Sequence, residues 1–144
     1  MPRKTGFLLV AMTLAACSKD TAGPENGGLT GNWVLEAWVW THAQNPALTV
    51  DWVQTRSLTG TLDIEGDGSF TSTPMLPLGV GSDYGELTID GDSIYWNGRN
   101  DEEWVRFTLG GNRLTLYWPE WEIVDMDQDG EPEDAWLRVR FRRQ

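Results

Sequence analysis

From Leu29 to Gln144 the apolar positions recur at every second residue in short runs, and no stretch sustains the spacing of an amphipathic helix. "LTGTLDI-EGDG-SFTST", "GELTI-DGD-SIYWN" and "WVRFTL-GGN-RLTLYW" each set an Asp-Gly or Gly-Asn break between two alternating segments. That combination signals a β-hairpin. One face of these runs carries Leu58, Leu62, Ile64, Leu87, Ile89, Ile94 and Trp96, then Val105, Phe107, Leu109, Leu114, Leu116 and Trp118. The other carries Thr59, Thr61, Asp63, Thr88, Arg106, Thr108 and Thr115. A strand with one dry and one wet side belongs to an antiparallel sheet packed on a single face. With "GNWVLEAWVW" at the front and "AWLRVRF" at the back, the pattern predicts about eight strands. The expected fold class is all-β, an antiparallel up-and-down β-barrel, because closure removes the unpaired edges of a long meander. A two-sheet sandwich is the alternative, and only 41–57 and 74–83 could supply its crossovers.

The segment ahead of the strands has a different character. "MPRKTG" supplies Arg3 and Lys4, "FLLVAMTLAA" is apolar, and Cys17 follows. This is the order of a secretory signal peptide. Ten apolar residues in a helix reach ~15 Å, about half of a ~30 Å hydrocarbon core, so a permanent span is not expected. Leu14-Ala15-Ala16-Cys17 resembles the lipobox of bacterial lipoproteins at every position. The resemblance implies cleavage before Cys17, diacylglycerol on its thiol and acylation of its new amino group. At ~0.8 kcal/mol per buried methylene, two or three such chains hold a protein in the bilayer essentially permanently. An ordinary secretory signal with an incidental cysteine is the alternative. Ser18, by the sorting rule of Gram-negative lipoproteins, implies the outer membrane of the cell envelope, facing the periplasm or the cell surface.

Cys17 is the only cysteine, so no intrachain disulfide is available and no thiol serves metal binding or catalysis. "SKDTAGPENGG" is small and polar and reads as a tether with an average reach of ~15–20 Å. The chain therefore divides into a signal peptide, 1–16, a lipidated flexible tether, 17–28, and a barrel domain, 29–144. Removing Arg3 and Lys4 with the signal takes the net charge from −11 by two more units to −13. Such a surface repels nucleic acid and anionic lipid headgroups.

"LTGNWVLEAW" opens the first strand, and Gly31-Asn32-Trp33 resembles the Gly-x-Trp signature of lipocalin barrels. The resemblance covers about residues 29–144 and is greatest to the short lipocalin-like domains of bacterial lipoproteins. It implies that Trp33 plugs one barrel end and that a late arginine packs across it. "LRVRFRR" offers Arg138, Arg140 and Arg142, with Arg140 the expected partner in a plug of Gly31, Trp33 and Arg140. Alternation puts Leu137, Val139 and Phe141 inside, so an outward arginine must reach round the barrel end.

Nine tryptophans are more than one small core needs. Strict alternation sets Trp38 and Trp40 beside Glu36, opposite Trp33, Leu35 and Val39. There they either pack under 41–57 or at a rim, or they line an aromatic pocket or binding patch. His42, the only histidine, lies in the polar run "THAQNP", and no nucleophile–His–acid arrangement is evident. No enzyme activity is expected. The favoured function is a membrane-anchored envelope lipoprotein whose barrel binds a small apolar ligand. The alternative is a structural or protein-interaction module with a solid core.

"DMDQDGEPED" is the one stretch with metal character. Asp125, Asp127 and Asp129 alternate ahead of Gly130, matching the D-x-D-x-D-G opening of a calcium loop. The twelfth position is Trp136 instead of glutamate, and both flanks read as strands, so this is not an EF-hand. The stretch is similar to the hairpin loops of integrin-type propeller repeats. That likeness implies that the Glu131 carbonyl and the side chain at position nine complete a calcium shell, and here that position departs from the pattern's aspartate, being Glu133 with Asp134 beside it. A solvated acidic turn is the alternative, since "IEGDG" and "IDGDS" show the same habit.

Overall fold

The three expected hairpins form, and they are part of one closed antiparallel barrel of eight strands. The structure is a computed structural model that describes residues 28–76, 79–100, 102–118 and 122–144. Cys17, the signal segment, the tether before residue 28 and Trp121 lie outside the described residues. In chain order the elements are β1 (Gly31–His42), β2 (Thr49–Asp51), α1 (Trp52–Thr55), β3 (Thr59–Ile64), β4 (Ser69–Leu76) and β5 (Gly79–Val80). They continue with β6 (Asp83–Asp90), β7 (Ser93–Gly98), β8 (Glu102–Gly110), β9 (Arg113–Tyr117), β10 (Glu122–Val124) and β11 (Glu133–Arg143). The barrel runs β1-β3-β4-β6-β7-β8-β9-β11, and β11 closes it by pairing back onto β1. The short strands β2, β5 and β10 attach outside that circuit.

The inward phase is the apolar one. Leu62, Ile94, Val105, Leu114, Leu116 and Val139 are fully buried, and directly paired positions such as Leu116 and Val139 share that face. Local chemistry sets the turns. Asp67 accepts from the Ser69 hydroxyl and backbone N–H at 2.6 and 2.9 Å, which holds its carboxyl below the usual range and tightens the β3–β4 turn. α1 is a single turn capped by Asp51, whose carboxylate accepts from Val53 N at 3.0 Å and Trp38 N at 3.1 Å.

Strict alternation fails at one residue, and the consequence is large. Leu35 pairs with Phe141 but Ala37 pairs with Arg140, so Glu36 is an extra residue in β1. A bulge of this kind inverts the phase of everything after it. Trp38 and Trp40 therefore face inward opposite Val139 and Leu137, not outward beside Glu36. Glu36 stays outside, where it meets Arg113, Arg140 and Arg142 at 3.2, 3.3 and 3.2 Å. These half-exposed pairs contribute under about 1 kcal/mol each, so the burial of two indoles outweighs them.

The far halves of β1 and β11 run past the barrel and are flanked by β2 and β10. Trp40 packs edge-on against Trp52 there, with centroids 5.5 Å apart. Trp52 donates to the Met126 carbonyl at 3.2 Å, and the Arg56 guanidinium lies 4.0 Å over its ring. For Trp40, packing under 41–57 is the outcome.

Candidate functional site

The two barrel ends differ. At the end where β1 begins, Trp33 is fully buried and its Nε1 donates to the Leu29 carbonyl at 2.8 Å. The Arg143 guanidinium lies 4.4 Å above the Trp33 ring and donates through Nη1 to the Thr30 carbonyl at 2.8 Å and through Nη2 to that of Gly28. Gly31 holds φ at +136°, and a β-carbon there would sit 3.2 Å from Arg143 Nη1. The plug is thus Gly31, Trp33 and Arg143. The expectation of Arg140 is corrected: Arg138, Arg140 and Arg142 share the outer phase, and Arg140 and Arg142 bind Glu36. Arg143 is in phase with Phe141, so it turns over the barrel end without reaching round a wall.

The opposite end holds a cavity of about 150 Å³, walled by Trp38, Trp96, Trp118, Val139 and Phe141. The bulge at Glu36 is what brings Trp38 into it. Trp96 packs on Phe70 at 4.1 Å and lies 6.4 Å from Trp118. The Trp38 Nε1 is buried with no hydrogen-bond partner among the described residues.

Asp83 lies on the wall of this cavity and is only 9% exposed. Its Oδ2 accepts from Trp96 Nε1 at 2.9 Å and its Oδ1 from Asn100 N at 3.0 Å. Asn100 is held in turn by its Nδ2 donating to the Ser82 carbonyl at 2.8 Å. Gly98 clears the space, since a β-carbon at that position would overlap the carboxylate. Among the described residues no salt bridge reaches Asp83, and the neighbouring Arg99 is instead placed 5.8 Å over Tyr84. Sequence reasoning missed this residue. The signal was its phase: Asp83 shares the inward register of Gly85, Leu87 and Ile89, where an acid has no solvent.

The acidic loop between β10 and β11 curls as its pattern requires, with Gly130 at φ +96° and Gln128 at +68°. Asp125, Asp127, Asp129 and Glu133 each bring a carboxylate oxygen within 4.8 Å of the others. The Glu131 side chain is outside this group, and its backbone N–H donates to Asp129 Oδ1 at 2.8 Å. Gly130 N donates to Asp125 Oδ2 at 3.1 Å and Met126 N to Glu133 Oε2 at 3.0 Å, while Asp125 Oδ1 is buried without a partner. His42 braces a turn, its Nδ1 accepting from Gln44 N at 3.1 Å and Asn45 N at 3.2 Å. Comparison with protein-family models, curated proteins and solved structures finds no match, so the likeness to lipocalins rests on the closed barrel and its plugged end.

Proposed function

We propose that the chain is a membrane-anchored envelope lipoprotein whose lipocalin-like barrel holds one small apolar or amphipathic ligand at the end opposite Trp33. The cavity carries this reading: it is a half-open pocket of about 150 Å³ whose wall is mainly aromatic and aliphatic, with Ser72, Ser82, Asp83 and Asn100 as its polar part. A volume of ~150 Å³ suits a benzene-sized group, whereas drug-sized sites run to ~300–1,000 Å³. The ligand is accordingly a single ring, a compact alkyl group, or one such group at the end of a longer molecule. Lipidation at Cys17 would keep the barrel at the outer membrane, facing the periplasm or the cell surface. The reading assigns binding: among the described residues Asp83 accepts from Trp96 and Asn100 and from neither Ser72 nor Ser82, and His42 braces a turn elsewhere.

Stoichiometric quenching of tryptophan fluorescence by a small apolar probe tests it. Saturation at one probe per chain supports the ligand site. An unquenched spectrum favours the solid-core interaction module, whose contact surface would be the exposed Tyr84, Trp104 and Trp136.

We also propose calcium as the cofactor of the 125–133 loop. Four converging carboxylates repel one another, and Asp125 Oδ1 is desolvated with nothing to bind, so a hard cation would relieve both costs. Affinity in the ~0.1–1 mM range of extracellular modules makes ~10 mM calcium worth ~1.4–2.7 kcal/mol, a rise of several degrees in melting temperature. No calorimetric heat and an unmoved melting curve would leave the loop a solvated turn.

A further inference from the structure

We infer that the cavity selects a compact organic cation, a substituted ammonium group, over its neutral counterpart. This inference rests on reading the cavity as a ligand site and adds the chemical class of the occupant. A buried carboxylate is costly unless it is paired and hydrogen-bonded. Asp83 has two neutral donors, Trp96 Nε1 and Asn100 N, and no arginine or lysine within ion-pair reach among the described residues. A counter-charge for it would come from the cavity it lines. The remaining wall decides what kind of cation that is. Trp38, Trp96 and Trp118 present indole surface, Val139 and Phe141 are apolar, and Ser72, Ser82 and Asn100 add neutral polar groups but no charge. An alkylated ammonium keeps its charge while its methyl groups make dispersion contacts, and indole is the side chain that best attracts such a group. The acidic surface of the chain, net −11, also raises the local concentration of cations near the mouth. The Trp38 N–H, which lacks an acceptor, can donate to an oxygen on the same molecule.

Choline and 3,3-dimethyl-1-butanol test this, because they differ only in a quaternary nitrogen replacing a quaternary carbon. Both are titrated into the full chain at fixed ionic strength and followed by tryptophan fluorescence. Choline should bind at least tenfold more tightly, equivalent to 1.4 kcal/mol. Asp83→Asn should bring the two within about threefold while leaving the alcohol's affinity in place, since the asparagine oxygen keeps one of the two bonds, from Trp96 or from Asn100, and only the charge is removed from the cavity. If Asp83→Asn does not fold, Trp38→Leu should weaken choline more than the alcohol. Equal or tighter binding of the alcohol to the wild type overturns the cation inference and leaves an apolar ligand site standing. A choline preference that persists in Asp83→Asn overturns the role of the carboxylate. Binding of neither molecule removes the inference together with the ligand site on which it rests.

Discussion

Replacing Trp33 with alanine should lower the unfolding free energy by ~3–5 kcal/mol in urea denaturation, as truncations of large buried aromatics do. The side chain is fully buried, and its loss also orphans the Leu29 carbonyl and removes the surface under Arg143. That is a large share of the ~5–15 kcal/mol that stabilises a domain. Arg143→Ala should cost ~1–2 kcal/mol, the worth of a half-buried cation–π contact with its two carbonyl bonds, whereas Arg140→Ala should cost under about 1 kcal/mol as one of three surface partners of Glu36. The order Trp33, Arg143, Arg140 is the informative part. A Trp33→Ala loss under about 1 kcal/mol, or an Arg140→Ala loss exceeding that of Arg143→Ala, would contradict the plug.

The second large effect concerns attachment. Cys17→Ser should abolish labelling by radioactive palmitate and move the protein from the membrane to the soluble fraction. The change should be all-or-none because, in the proposed lipoprotein, acyl chains would supply the attachment: one chain gives only marginal binding, and two or more give stable anchoring. The acidic barrel offers no electrostatic substitute, since its net charge opposes adsorption to anionic lipid. A serine variant that still incorporates label and sediments with membranes would show that Leu14-Ala15-Ala16-Cys17 is not a lipobox.

The parts of the fold visible in the chain were those encoded locally. Alternation and Gly-containing turns specify β3–β4, β6–β7 and β8–β9, because each hairpin is defined by neighbours in sequence. Trp33 was legible only through the resemblance of Gly31-Asn32-Trp33 to the lipocalin signature, and the φ of +136° at Gly31 shows why a glycine stands there. Its partner was not, although strict counting was enough: Arg143 follows Phe141 by two and shares its phase, while Arg140 does not. The bulge at Glu36 was beyond reach, because an extra residue in a strand leaves no mark in a pattern of period two. That single residue turns Trp38 from a surface group into a wall of the cavity. Asp83 was obscured by its setting, since "GSDYG" reads as a polar turn until pairing places it beside Trp96. The curl of the acidic loop was legible from Gly130, and the convergence of Glu133 with the three aspartates follows from it.

The central claim is that the barrel takes a ligand at the end away from Trp33, and indole N–H resonances report on it most directly. Trp33 and Trp52 donate to the carbonyls of Leu29 and Met126, away from the cavity, while Trp38, Trp96 and Trp118 line it. Titration of ¹⁵N-labelled protein with benzene should shift the indole signals of Trp38, Trp96 and Trp118 in a saturable way and leave those of Trp33 and Trp52 in place. A spectrum in which nothing moves, or in which only the exposed Trp104 and Trp136 move, would contradict the claim.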